Sequence, residues 1–399
     1  MKNSVNKVIF MIEKQNICGK CILPEGFLGI QLNSDGLCNF CADPNYTNVN
    51  YSRTIIGAKQ KKRAQQDWKK VVRDMQTKPG KTNYDCILGY SGGKDSTALL
   101  DYLINKLELR PLAITIDTGF MTDIAKENMK NTLDQIQVDH VLIEDCIDTF
   151  TKLYKWHFFN HTSNDTFLAR HICDYCSDLI HTIVVKEAIK RDIHYVLFGY
   201  SPDQVFRYFY EMPQTEVIED WMPDLIFNDP IFDENDHRWY LTQEEIRSGK
   251  LPRVLLPYHV IPYREQDIIE LVESKNYIKK GHADPLLTNC NVIYAAMFYD
   301  LNRYGGILYA CQYAELVRQE PEIRKKWLRT LKRSGTLILD NKFKPAEVNA
   351  FFKQIGITQD EMLDHIQEQL MQDPNREAIK HNIDIFRRKR KKNRTDLPI

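Results

Sequence analysis

No apolar run in this sequence approaches the roughly 20 residues that a membrane-spanning helix needs. The stretch Val8–Ile12 is too short for a signal-peptide core and gives way at once to Glu13 and Lys14. A cytoplasmic protein with no membrane partner is therefore expected. The glycine-rich stretch Gly89–Gly93 matches neither G-x-x-x-x-G-K-S/T nor G-x-G-x-x-G, which excludes the two commonest nucleotide fingerprints. Lysine and arginine are missing from Tyr208 to Asp236, where nine acids fall. No cysteine follows Cys311, and no internal repeat is evident beyond a recurring C-x-x-C.

What is present is a globular composition, 43% hydrophobic and 27% charged over 399 residues, enough for two or three structural units. Ten cysteines in a chain expected to be cytoplasmic point to metal ligands or catalysis in preference to disulfides. Net charge is formally zero, yet Arg387–Arg394 holds seven positive charges, leaving −7 for the rest. Such a tail is either a solvated end or a contact for phosphates.

Residues 1–50 read as a small cysteine module and 51–82 as a polar helical linker. From Tyr84 apolar strand candidates (84–90, 111–117, 139–143, 194–199) alternate with helical patterns (95–107, 123–137, 146–160, 177–192). This alternation predicts an α/β fold, a parallel sheet covered on both faces, with ligands beyond the carboxyl ends of the strands. The catalytic domain is expected over 83–310, with a proline- and acid-rich insertion at about 205–250. Helices near 263–275, 291–304, 320–334 and 345–372 lead into a helical C-terminal region over 311–399 that ends in the basic tail.

The most telling stretch is Tyr90-Ser91-Gly92-Gly93-Lys94-Asp95-Ser96-Thr97, between a buried strand and a helix. A glycine-rich turn at a helix N-terminus offers unpaired N–H groups and the positive end of a dipole, a phosphate site. The hydroxyls of Ser91, Ser96 and Thr97 can donate to phosphate oxygens, and Lys94 can neutralise their charge. Asp95 either caps the helix or helps hold Mg2+. This motif resembles the pyrophosphate loop of the PP-loop ATP pyrophosphatases, the adenine nucleotide α-hydrolases with a Rossmann-like nucleotide-binding domain. The resemblance implies cleavage of ATP between its α and β phosphates, with a substrate oxygen adenylated. It also implies adenine and ribose at Thr115 and Asp117, and a close approach of Gly199, in Gly199–Gln204, to the nucleotide. Asp117 and Asp203 are equally readable as ordinary turn acids.

Cys18, Cys21, Cys38 and Cys41 have the spacing C-x2-C-x16-C-x2-C of a zinc ribbon. Four sulfurs close a tetrahedral shell, so a structural Zn2+ site is expected, an iron–sulfur centre being the alternative. A ribbon ahead of a PP-loop domain resembles two branches: iron–sulfur tRNA thiolation enzymes and N-acetyl sugar amidotransferases of surface-polysaccharide pathways. The wording from Cys21-Ile22-Leu23-Pro24 to Cys38-Asn39-Phe40-Cys41 is closer to the second. Cys173 and Cys176, opening a helix, together with the remote Cys290, resemble the three-cysteine site of the sulfur-transferase branch. In that branch three thiolates hold a 4Fe–4S cluster with one iron left open. Read from the residues alone, the pair is equally a zinc half-site or a redox pair, and Cys86, Cys146 and Cys311 are ordinary buried cysteines.

The resulting expectation is an ATP-dependent sulfur transferase using Lys94, Asp95, Cys173, Cys176 and Cys290, with ammonia transfer by an amidotransferase as the alternative. A non-catalytic RNA- or protein-binding module leaves the loop unexplained. The acidic belt and the lack of a C-terminal cysteine module favour a small-molecule or carrier-bound substrate over tRNA, which the basic tail keeps open. A sulfur donor is implied and a homodimer is not excluded. His157 and His161 read as polar surface, and Tyr200, Arg207, Tyr208 and Tyr210 as pocket-lining candidates without a role.

Overall fold

The computed structural model describes residues 16–43, 58–77, 83–160, 172–202, 208–284 and 290–392. Asp203, Gln204, Arg207 and His161 lie outside them, as do the side chains of the basic tail beyond Arg387. The chain divides into two compact units. One takes in 47–156 and 172–291, the other 1–46, 157–171 and 292–399.

The first unit is built on a six-stranded sheet of β1 (Cys86–Gly89), β2 (Pro111–Ile116), β3 (His140–Ile143), β4 (Tyr195–Phe198), β5 (Glu211–Met212) and β6 (Arg253–Leu255). The spatial order is β3-β2-β1-β4-β6-β5, parallel throughout except for β5. Cys86, Ile87, Leu88 and every residue of β2 are buried, as strands covered on both faces must be. β3 is an edge strand and only half-buried. The strand order reverses between β1 and β4, and at that switch point crossover helices leave a crevice beyond the strand ends.

The connecting helices match the apolar spacing. α1 (Ala58–Thr77) buries Trp68, Val71 and Met75, one stripe of an otherwise polar helix. α2 (Lys94–Asn105), α3 (Asp123–Ile136), α4 (Ile147–Asn160) and α5 (Ile172–Arg191) link the first four strands. The expected insertion carries sheet of its own: β5 lies within it, and β6 just beyond it extends the sheet past β4 in register Tyr195↔Arg253. Arg253 ties this edge together, donating to Glu211 at 2.7 Å and to Asp67 of α1 at 2.8 Å. The acidic belt is partly spent inside the fold. Lys152 bonds Asp236 at 2.6 Å and Asp233 at 2.9 Å, and the Trp156 indole donates to Asp229 at 3.0 Å.

The second unit is helical around the four-cysteine module. Its central helix, Val292–Tyr304, is buried at nearly every position, as expected for a helix enclosed by others. Phe351 and Phe352 of Pro345–Gln354 pack there, with Phe158 wedged 4.8 Å from Tyr299 and 5.6 Å from Phe351, centroid to centroid. Arg303 and Asp373 form a buried pair at 2.7 Å. A helix over Arg376–Lys392 leads into the basic run, anchored ahead of it by Ile379, Ile383 and Phe386 at helical spacing, with Arg387 exposed. Among the described residues, no helix is long and apolar enough to cross a membrane.

Leu99 of α2 has no exposed surface. Leu99→Ala is expected to cost about 2–5 kcal/mol in urea denaturation, the usual range for a buried leucine.

Candidate nucleotide and cysteine sites

β1 delivers the chain to the crevice, where Tyr90 N–H still bonds the Ile114 carbonyl at 2.8 Å before the loop departs. Gly92 has φ 72°, and a Cβ there would sit 2.6 Å from the Ala125 carbonyl oxygen, so only glycine fits the turn. Gly93 caps α2 with extended backbone and no side-chain cap bond, so the first N–H groups of the helix face the crevice. The loop is braced from within. Ser96 Oγ lies 3.2 Å from both Ser91 Oγ and the Gly93 carbonyl, and Thr97 Oγ1 lies 3.3 Å from Tyr90 OH.

The charged pair at the helix start is buried. Lys94 Nζ lies 2.7 Å from Asp95 Oδ2 and 3.3 Å from Glu265 Oε1. Burial works against the Lys94 charge, but the two carboxylates outweigh it and hold its pKa above the ordinary value. Burial also pushes the Asp95 carboxyl up, only partly countered by Lys94 and Tyr263. Tyr263 OH donates to Asp95 Oδ1 at 2.9 Å and Tyr258 OH to the Asp95 carbonyl at 2.8 Å. These three residues, Tyr258, Tyr263 and Glu265, were not singled out in the sequence. Their signal was the apolar run Val254-Leu255-Leu256 just before them, a sheet strand ending on the same rim.

β2 and β4 complete the crevice. Thr115 is buried, donating to the Tyr90 carbonyl at 2.6 Å and meeting His140 Nε2 at 2.8 Å. Asp117, one residue past β2, accepts from Gly119 N–H at 2.8 Å and lies 3.7 Å from Lys126 Nζ. Gly199 ends β4 against the loop itself: a Cβ there would stand 2.9 Å from Ser96 Cα. Ser91–Thr97, Thr115, Asp117 and Gly199 are thus brought to one rim.

Three further cysteines belong to the same unit. Cys173 and Cys176 occupy the first turn of α5. Cys290 forms an antiparallel bridge with Met121, backed by Asn291 N–H on the Phe120 carbonyl at 2.9 Å. Tyr154 OH lies 3.2 Å from Cys176 Sγ. Burial pushes the Cys176 thiol well up, and the charges of Cys290 and Cys173 add to the shift. Beside them, His181 Nε2 meets Tyr200 OH at 2.8 Å, and burial lowers the His181 pKa to about 3.

In the helical unit, Cys18, Cys21, Cys38 and Cys41 bring their sulfurs within 4.8 Å of one another, the only such set among the described residues. Backbone N–H groups of Cys38 and Cys41 point at Cys18 and Cys38 sulfurs from 3.3 and 3.4 Å. These bonds pre-orient thiolates around a single ion, so the donor set fits a tetrahedral metal. Among the described residues, Cys173, Cys176 and Cys290 do not form such a compact donor set.

No family model matches the chain. An uncharacterized protein of Methanocaldococcus jannaschii, MJ1599, is 26% identical over 272 residues, 64% of this chain and 79% of that protein. Among solved structures, the U34-tRNA thiolase NcsA from Methanococcus maripaludis with its 4Fe–4S cluster has a TM-score of 0.32 and 14% identity, covering 67% of this chain and 79% of its own. NMN synthetase from Francisella tularensis has a TM-score of 0.31 and 14% identity, over 56% and 74%. NH3-dependent NAD synthetase from Campylobacter jejuni, in complex with nitrate, has 0.33 and 12%, over 71% and 94%. At these TM-scores the likeness carries no weight for what this chain does.

Gly199→Ala should push the loop helix off the β4 end. Stability in urea denaturation is expected to fall by about 1–3 kcal/mol, the usual cost of overpacking. A second expectation concerns pH. An unfolded histidine binds a proton near pH 6.5 while buried His181 does so only near 3, so stability falls as pH drops between those values. The slope from this group is at most about 1.4 kcal/mol per pH unit. Urea titrations at pH 7 and pH 5 should show it, and His181→Phe should flatten it.

Proposed function

We propose that the chain is an ATP-dependent sulfur transferase of the PP-loop superfamily. The observation that carries this reading is the uncapped, glycine-shaped start of α2 beside Gly199, in one unit with Cys173, Cys176 and Cys290. N–H groups at the head of α2, the hydroxyls of Ser91, Ser96 and Thr97, and Lys94 hold the pyrophosphate portion of ATP. Thr115 and Asp117 flank the adenosine. Asp95, with Glu265 near Lys94, offers oxygen ligands suited to Mg2+.

A carbonyl or amide oxygen of the substrate attacks the α-phosphorus. The bond from that phosphorus to the bridging oxygen breaks, and pyrophosphate leaves into the loop. Lys94 and the helix dipole neutralise the charge that develops. In the second half a sulfur nucleophile adds to the activated carbon and AMP leaves, so C=O becomes C=S with loss of one proton from the sulfur. Cys173, Cys176 and Cys290 would hold a 4Fe–4S cluster, which supplies an iron open to a sulfur species. Tyr154, bonded to Cys176, keeps that side of the site dry. In the helical unit the four-thiolate set holds Zn2+. The internally paired acids of 208–236 still leave an anionic surface, which weighs for a small or carrier-bound substrate, fed by a separate sulfur donor.

Anaerobically purified protein is expected to be brown, with iron near one cluster and zinc near one ion per chain. ATP turnover should yield AMP and pyrophosphate; ADP and phosphate would refute the superfamily reading. Cys290→Ala should abolish product while ATP binding stays within about twofold, and unchanged turnover would remove Cys290 from the site. Colourless protein with full activity would overturn sulfur transfer in favour of ammonia transfer.

A further inference from the structure

Four thiolates around one divalent cation leave a formal charge of −2, and Cys18, Cys21 and Cys38 have no exposed surface. A charge buried so deeply needs counter-charge and hydrogen bonds nearby. Two arginines from the far end of the sequence supply them. Arg318, on Tyr309–Gln319, points Nε at Cys41 Sγ from 3.3 Å and Nη2 at Cys21 Sγ from 3.8 Å. Its side chain is only 9% exposed, and Glu315 fixes the remaining fork through Nη1 at 2.5 Å. Arg324, on Arg324–Leu339, donates Nε to the Cys21 carbonyl and Nη2 to the Cys18 carbonyl, both at 2.7 Å. One guanidinium therefore addresses sulfurs from both knuckles, and the other grips the backbone of the first knuckle like a staple.

Neither contact follows from the ribbon's own sequence, and the fit around them is close. A Cβ on Gly26 would lie 2.2 Å from Ala378 Cβ, and one on Gly306 would lie 2.9 Å from the Phe27 ring. Asn382 Nδ2 donates to the Glu25 carbonyl at 2.9 Å.

We propose that Arg318 and Arg324 are outer-sphere partners of the four-cysteine metal, and that metal occupancy locks the helices Tyr309–Gln319 and Arg324–Leu339 onto the cysteine module. With metal bound, N–H donors of Arg318 face thiolates and make charge-assisted bonds. Without it, the same donors face neutral thiols, and Glu315 is left as the charged partner of the guanidinium. The metal thus stabilises helices that supply none of its ligands. Arg318 is a positioning residue: it orients the sulfurs and tempers their electron density.

The test uses the full chain loaded with Zn2+ or Co2+. Arg318→Ala should weaken Zn2+ affinity about 10–100-fold, the range for removal of an outer-shell partner, read by competition with a chromogenic chelator. Arg318→Lys, which keeps the charge but loses the fork, should recover part of the loss. The thiolate-to-Co2+ charge-transfer band should shift in Arg318→Ala. In the wild-type chain, chelation should raise hydrogen exchange across 309–339 while leaving strands 86–89 and 111–116 protected. Wild-type affinity and an unshifted band in Arg318→Ala would overturn the outer-sphere role. Unchanged exchange in 309–339 after chelation would overturn the lock, and that measurement needs no variant to fold.

Discussion

The close approach of Gly199 to Ser96 is the constraint around which the crevice at the strand switch is arranged. β1 and β4 are adjacent parallel strands, and their ends must diverge for the loop of Ser91–Thr97 to fit. With no side chain at Gly199, the head of α2 settles directly on β4. That seating aims uncapped N–H groups beyond the strand ends, and Gly92 supplies the left-handed turn that brings the chain round. Lys94 and Asp95 are then buried as a pair, and the tyrosines at 258 and 263 fix the acid from the next strand over. A larger residue at 199 or 92 would disturb every one of these contacts.

Much of this arrangement was legible beforehand, because it rests on local signals. Continuous apolar runs marked β1, β2 and β4, and glycine punctuation marked the loop. The C-x2-C pairs announced the four-sulfur set, since two short knuckles bring their own ligands together. What stayed hidden depends on long-range packing. β5 is two residues long and β6 three, too short for a periodic pattern; β6 is fixed by pairing with β4, and β5 by pairing with β6 and by Arg253. Arg318 and Arg324 could not be singled out from the other basic residues of their helices, because their role is set by a module some three hundred positions earlier. The helix through the basic tail was visible in Ile379, Ile383 and Phe386 but was masked by the charge that follows.

The acidic stretch shows how composition misleads about environment. Nine acids without a basic neighbour in sequence suggest a strong local field. In the fold Lys152 and Arg253 come from elsewhere to meet several of them, so the field is weaker than the run implies. Asp236, in particular, is 2% exposed and serves as a structural acceptor for Lys152 and Thr149.

The bridge between Met121 and Cys290 gives the cysteine trio an unusual suspension. Cys290 hangs from the segment that follows β2, on one flank of the switch point, whereas Cys173 and Cys176 ride on the helix that feeds β4 on the other. The three cysteines thus come from elements on opposite sides of the switch point. A group bound by all three would tie the segment after β2 to the helix before β4, across the switch point.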